Sequence, residues 1–191
     1  MAYKAAVIGC GKIGSDFADD PFVKGVYTHA GAYEACADTE LVAVCDIDAD
    51  RARRCAGRWQ GATAYSDIGE LMTQHRPDIV SVCTPDSTHE AVLERVLLAD
   101  GVRAVLAEKP LALRPEEAQR LVDLARKRGV TLAVNYSRRY SSSLIELRGT
   151  IHSGKLGTIQ KVAGLYTKGV LHNGSHWFDL ARWLIGEVRA V

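Results

Sequence analysis

Two groups of residues in this 191-residue chain have the types and spacing for chemistry. In "VLHNGSHWFDLARW", His172 and His176 stand four apart, with Asp179 three further on. Histidines at that interval can share a helix face and hold a divalent ion. One of them can instead move a proton near neutral pH, where an unperturbed imidazole titrates. A glycine and a helix start lie between the two, which disfavours a rigid ligand pair, so no metal is expected. The second group is "LAEKPLAL", where Glu108, Lys109 and Pro110 follow an apolar run. A lysine at the carboxyl end of a strand can donate a hydrogen bond to a substrate oxygen, and partial desolvation would tune it for that work. The plainer alternative is a surface pair between Lys109 and Glu108.

Such side chains need a frame. The runs "KAAVIG", "ELVAVCD", "DIVSVCT", "RAVLAE" and "TLAVN" are too continuously apolar to have one wet face, which is the pattern of parallel strands covered on both sides. Between them, "DADRARRCAGRW", "DIGELMTQH", "STHEAVLERVLLAD" and "RPEEAQRLVDLARKRG" carry apolar residues at helical spacing. In the last, Pro115 suits a first turn, Glu116 and Glu117 favour the positive end of the dipole, and Gly129 suits the stop. Alternating strand and helix predicts a doubly wound α/β domain over residues 1–138. Residues 139–191 then read as part of a second, open-sheet α/β domain for substrate and oligomer contacts. It has a serine-capped helix in "YSSSLIELRGTIHSG", a strand in "KLGTIQKVAGLYT" and an amphipathic helix in "SHWFDLARWLIG". There Asp179 is expected on a helix face or between domains, and Trp177, Phe178 and Trp183 in a core. The closing "EVRAV" reads as another strand whose partners would lie beyond Val191, so the chain reads as cut.

Composition removes other classes. With 47% hydrophobic and 25% charged residues, the chain is an ordinary folded protein. A formal net charge of +1 is not the basic excess of a nucleic-acid binder. No apolar run reaches the ~20 residues of a membrane span, and the start enters a strand at once. Cys10, Cys36, Cys45, Cys55 and Cys83 are odd in number and lack CxxC pairing, which points to reduced thiols of a cytoplasmic protein.

"VIGCGKIGSD" contains the residues of a phosphate-binding loop, Gly9, Gly11, Lys12, Ile13 and Gly14, with the glycines in G-x-G-x-x-G spacing between a strand and a helix start. The first glycine permits a tight turn, the second a close approach by pyrophosphate, and the third helix–strand packing. Free N–H groups at the helix start would bind the phosphates. Asp46, ending the second strand, is placed to accept from the ribose hydroxyls and to repel a 2′-phosphate, which favours NAD; Arg51 or Arg53 leaves NADP open. Asp46 lies 32 positions after Gly14, where about 20 is usual. The stretch "ADDPFVKGVYTHAG" accounts for the excess as a loop interrupting the first helix. His29, in that loop, either approaches the nicotinamide or is exposed.

In this order, the glycine fingerprint, "CTPDSTHEAVL", "EKPLAL", "VNYSRRY", "SGKLGTI" and "GSHWFDLARWL" resemble the glucose-fructose oxidoreductase/inositol dehydrogenase (Gfo/Idh/MocA) family over essentially the whole chain. The resemblance implies a Rossmann domain followed by an open-sheet domain, and oxidation or reduction of sugars or cyclitols with NAD(P). It implies that Lys109 bonds the reacting oxygen, beside Glu108, and that Pro110 follows a cis peptide. Thr84, Pro85 and His89 match the segment along the nicotinamide ribose, and His176 matches the acid–base histidine. Arg139, His172 and Asn173 are candidates for substrate contact. Ser141 to Ser143 replace the proline usual near Arg139 and Tyr140, and His172 stands where the family commonly has aspartate; a histidine cannot supply that permanent charge, so either His172 works through a neutral ring nitrogen, Asn173 or another group substitutes, or the chemistry differs from that of the family's sugar dehydrogenases.

The leading expectation is an NAD(P)-dependent dehydrogenase or reductase of a sugar-like carbinol, forming a homo-oligomer in a full-length form, with no nucleic-acid or membrane partner. The alternatives are a dinucleotide-binding regulatory or scaffold protein without turnover, and a lyase that reduces and regenerates bound NAD. Net release of NADH separates the first from the last.

Overall fold

A computed structural model describes residues 2–190. The first compact unit runs to Val134 and the second begins at Asn135. In the first, strands β1 (Tyr3–Ile8), β2 (Thr39–Cys45), β3 (Thr63–Tyr65), β4 (Ile79–Val82), β5 (Ala104–Ala107) and β6 (Thr131–Val134) form one parallel sheet in the order β3-β2-β1-β4-β5-β6. The expected doubly wound α/β fold is present. Alternation along β1 shows why both faces are dry: Ala5 and Val7 pack in one core with Tyr33, Leu41 and Val44, while Ala6 and Ile8 pack in the other with Val82, Leu93 and Leu97. The sixth strand, β3, is absent from the expected set. Its three residues, "TAY", lie at the sheet edge and are too short to carry a periodic signal.

Strand order reverses between β1 and β4, so the crevice for a ligand opens beyond their carboxyl ends. Helices α1 (His29–Ala35), α2 (Ala49–Arg58), α3 (Ile68–His75), α4 (His89–Leu98) and α5 (Pro115–Arg128) cover the sheet. Their starts are set locally. The Asp48 carboxylate accepts from the N–H groups of Asp50 and Arg51 at the head of α2, and that of Asp67 from Glu70 N–H at the head of α3.

The helix that should follow the glycine turn is interrupted. The turn passes into a short 3-10 segment, Asp16–Asp19, and α1 begins only at His29. Its first N–H groups reach back across the gap: His29 donates to the Ile13 carbonyl and Ala30 to that of Gly14, both at 3.0 Å. In an unbroken α-helix those carbonyls would accept from positions 17 and 18. The helix is thus spliced around twelve extra residues, the same excess that separates the 32-residue Gly14–Asp46 spacing from the usual ~20.

In the second unit, α6 (Ser142–His152) and α7 (Ser175–Ile185) pair, and a π-helical turn, Val170–Gly174, leads into α7. The strand expected in "KLGTIQKVAGLYT" does not form: among the described residues no strand of this unit supplies a ladder, and extended backbone without a paired neighbour is not a sheet. Of "EVRAV", Glu187 to Ala190 are likewise unpaired, and Val191 lies outside the described residues. Phe178, expected in a core, is exposed. Among the described residues no helix is long and apolar enough to cross a membrane. The five cysteines are free thiols, all buried except Cys36.

Candidate functional site

A cleft of about 740 Å³ opens at the strand-order reversal, lined by Gly9, Gly11 and Lys12 after β1, Asp46 after β2, and Thr84 and Pro85 after β4. The three glycines differ in what surrounds them. Gly9 has φ +94°, and a Cβ there would lie 2.6 Å from the Cys83 carbonyl carbon; a Cβ on Gly14 would lie 2.0 Å from the Gly9 carbonyl oxygen. These two positions serve the turn and its packing. A Cβ on Gly11 would meet nothing within 4 Å, so this glycine keeps space open on the cleft side. Ile13 also lines the cleft, whereas Gly14 lies beneath it.

Asp46 is 6% exposed, and its carboxylate accepts from Cys10 N–H and Asp48 N–H, each at 2.9 Å. Arg51 reaches the same carboxylate at 3.3 Å and lines the cleft. Arg53 instead pairs with Asp50 on the surface. Of these two arginines, only Arg51 lines the cleft. The Thr84 hydroxyl is buried at the cleft and has no hydrogen-bond partner. An orphaned hydroxyl costs about 1–3 kcal/mol, and a polar ligand in the cleft would relieve that cost. With the open face of Gly11, this orphan fits the cleft to a dinucleotide.

His89 does not line the cleft. Its ring is buried, with Nδ1 2.6 Å from the Pro110 carbonyl oxygen and Nε2 2.8 Å from that of Thr84, so it ties the loops after β4 and β5 together. The Lys109–Pro110 peptide is cis. Lys109 is half-buried beyond β5, outside the cleft lining. Glu108 does not pair with it on the surface: it is 13% exposed and its Oε1 lies 3.0 Å from Nε2 of His29. His29 is therefore not exposed; it is absent from the cleft lining, and its backbone N–H donates to the lining residue Ile13. It is 5% exposed, and its Nδ1 lies 2.8 Å from Ser81 Oγ, which is 2.7 Å from Tyr33 Oη.

In the second unit, His176 stands on α7 with its ring edge-on to Tyr136, centroids 5.7 Å apart. Burial, then the Asp179 charge, raises the Tyr136 hydroxyl above its ordinary value. His172 is exposed in the π-helical turn; Gly174 N–H bonds the Gly169 carbonyl across five residues, so the two histidines are not a regular i,i+4 pair. Asn173 donates weakly to Thr167 Oγ1 at 3.4 Å. Arg139 grips Asp179 through two guanidinium nitrogens, Nε at 2.8 Å, and that carboxylate raises the arginine pKa further. The pair fastens the turn at 137–140 to α7.

The structure adds Phe17 to the cleft. It comes from the looped-out segment, packs edge-on to Tyr27 and lies under Lys12 Nζ. The long Gly14–Asp46 spacing marked the segment, but no local pattern distinguished Phe17 from its exposed neighbour Phe22.

Residues 3–136 match the model of an oxidoreductase family with an NAD-binding Rossmann fold. D-glucoside 3-dehydrogenase of Escherichia coli K12 is 30% identical over 203 residues, covering 96% of this chain and 54% of that protein. Inositol 2-dehydrogenase 2 of Saccharopolyspora erythraea is 29% identical over 98% of this chain and 55% of its own. The chain thus spans about half the length of the curated relatives it matches. Among solved structures, the WlbA dehydrogenase of Bordetella pertussis, in complex with NADH and UDP-GlcNAcA, superposes with a TM-score of 0.80 at 25% identity over 98% of this chain and 60% of that one. KijD10, a 3-ketoreductase of Actinomadura kijaniata in complex with NADP, gives 0.80 at 27% identity over 97% and 56%.

Proposed function

We propose that this chain, which belongs to the Gfo/Idh/MocA oxidoreductase family with its NAD-binding Rossmann fold, holds the nicotinamide cofactor of a dehydrogenase or reductase acting on a CH–OH group of a sugar, cyclitol or related polyol, or on the matching ketone. The observation that carries this reading is the cleft itself, with the open face of Gly11 beside the orphaned Thr84 hydroxyl. The bound nicotinamide would supply a carbon that accepts or returns hydride. Gly9, Gly11, Lys12 and Ile13 would take the phosphates, and Thr84 and Pro85 the ribose nearer the nicotinamide. Asp46 would meet the adenosine ribose and favour NAD, with Arg51 leaving a route to NADP. Lys109 donates a hydrogen bond to the substrate oxygen, and His176 takes or returns its proton. Relatives named for glucosides and inositols, and a neighbour solved with a nucleotide sugar, support a polyhydroxylated substrate. A cytoplasmic location and a homo-oligomeric full-length form belong to the same reading.

Calorimetric titration with NAD and, separately, NADP tests it. NAD binding at least about tenfold tighter than NADP, or ~1.4 kcal/mol, is the expected result. A folded sample that binds neither would end the cofactor reading. Binding without reduction of NAD by any polyol would favour the scaffold alternative.

A further inference from the structure

His29 begins α1 where the helix resumes after the looped-out segment, and it lies in a buried row of polar groups that the cofactor cleft does not include. The row is Tyr33 Oη, Ser81 Oγ, His29 Nδ1 and Nε2, and Glu108 Oε1, with successive separations of 2.7, 2.8 and 3.0 Å. Ser81 is fully buried, and the two rings nearly so. Polar groups so deep in a core between β4 and α1 are costly unless each donor meets an acceptor.

With a single ring proton on His29, the donor inventory orders the row in one direction. A carboxylate only accepts, so Glu108 draws that proton to Nε2. Nδ1 is then a lone pair and accepts from Ser81 O–H. The Ser81 oxygen in turn accepts from Tyr33 O–H. Burial pushes the Tyr33 hydroxyl up to about 12, so it stays a donor. Every link satisfies its neighbour, and bonds aligned this way polarise one another.

We infer that His29 is a positioning residue: with Ser81 and Tyr33 it forms a one-way hydrogen-bonded wire that fixes the Glu108 carboxylate and, through the adjoining backbone, the direction of Lys109. Glu108 is held at both ends of its structure, since its own N–H also donates to the Val82 carbonyl at 2.9 Å, extending the β4–β5 ladder by one rung. Lys109 therefore leaves the sheet from an anchored residue. A half-buried lysine with four rotatable bonds needs such an anchor if its ammonium is to meet one substrate oxygen.

The wire rests on the proposed reaction only for its effect on turnover. Its internal order is tested separately, by ¹⁵N-resolved NMR of the His29 ring at pH 8.5, with His29→Gln identifying the signals. The expected spectrum has Nε2 protonated and Nδ1 bare. A proton on Nδ1, or on both nitrogens, overturns the wire. In turnover with NAD and a polyol, His29→Leu should lower kcat by roughly 10- to 100-fold, the range seen when outer supports of a reactive group are removed. KM and the NADH dissociation constant should stay within about twofold, because the wire does not line the cleft. His29→Gln, whose amide N–H reaches the position of Nε2, should recover most of that loss. Ser81→Ala removes a single hydroxyl and covers the case in which the leucine variant does not fold; it should lower kcat several-fold with unchanged NADH binding. Wild-type kcat in both His29→Leu and Ser81→Ala, or a kcat loss always matched by lost NADH binding, overturns the inference. A wild-type protein without turnover on any polyol would end the proposed reaction and leave the ring spectrum to decide the wire.

Discussion

The backbone N–H of His29 donates to the carbonyl of Ile13 at 3.0 Å, closing one helical turn around residues 14–28. The insertion is thereby a side loop on a helix whose hydrogen bonding resumes in register. Its near end is pinned: the buried Ser15 hydroxyl accepts from Arg58 Nη1 at 2.6 Å and Trp59 Nε1 at 2.9 Å, and Arg58 also pairs with Asp19. Its far end is capped by Thr28, whose hydroxyl accepts from Gly31 N–H.

Deletion of residues 17–28 should therefore be tolerated. It would put His29 four positions after Ile13, where an ordinary helix needs it. The expected cost is about 1 kcal/mol for the lost Thr28 cap, read by thermal unfolding, with helical circular dichroism retained. A chain that no longer unfolds cooperatively would contradict the splice.

The glycines of the turn should separate cleanly. Gly11→Ala places its methyl in open space, so the unfolding temperature should hold while NAD affinity falls about tenfold, ~1.4 kcal/mol. Gly14→Ala drives a methyl into the Gly9 carbonyl and should destabilise the fold itself. Calorimetry and thermal melts of both variants decide; equal loss of stability in the two would refute the division of roles.

Asp46→Ser should shift cofactor preference. It removes the charge that would repel a 2′-phosphate and releases Arg51 at the cleft wall. The NADP-to-NAD affinity ratio should rise by about tenfold or more, ~1.4 kcal/mol, in paired titrations. An unchanged ratio would mean that Asp46 acts only through its bonds to Cys10 and Asp48.

Acid should weaken the caps of α2 and α3. Hydrogen bonds from backbone N–H groups lower the carboxyls of Asp48 and Asp67 below their ordinary 3.8. A group depressed on folding contributes stability that is complete above its unfolded value and is lost as pH falls through the folded one. Asparagine caps as well without a charge. The double variant Asp48→Asn, Asp67→Asn should thus match the parent near pH 7 and lose less stability below about pH 4. Denaturant unfolding at both pH values reads the difference.

Asp179→Asn should loosen the second unit. It leaves the Arg139 guanidinium facing an amide in place of a buried carboxylate 8% exposed. A hydrogen bond to a charged group contributes about 1.5–3 kcal/mol, and the half-exposed arginine puts the expected loss at the lower end. Thermal unfolding of parent and variant reports it.

Much of this was legible in the chain because the signals are local. Continuous apolar runs mark strands wet on neither face, the paired glycines mark a turn that other residues cannot make, and the 32-residue spacing counts out an insertion without any coordinates. Local patterns mislead where an element needs a distant partner. Residues 155–167 have strand-like composition but no ladder, and Thr63–Tyr65 is a strand only because β2 lies beside it. Side-chain roles followed that divide. His29 and His89 look alike in sequence, as lone histidines near helix starts, and both turn out to be buried with two ring nitrogens engaged, one toward Ser81 and Glu108, the other toward two carbonyls. A sequence determines which groups can donate, accept or titrate; only the folded chain decides which of them face each other within 3 Å, because hydrogen bonds and burial depend on separation in space and not along the backbone.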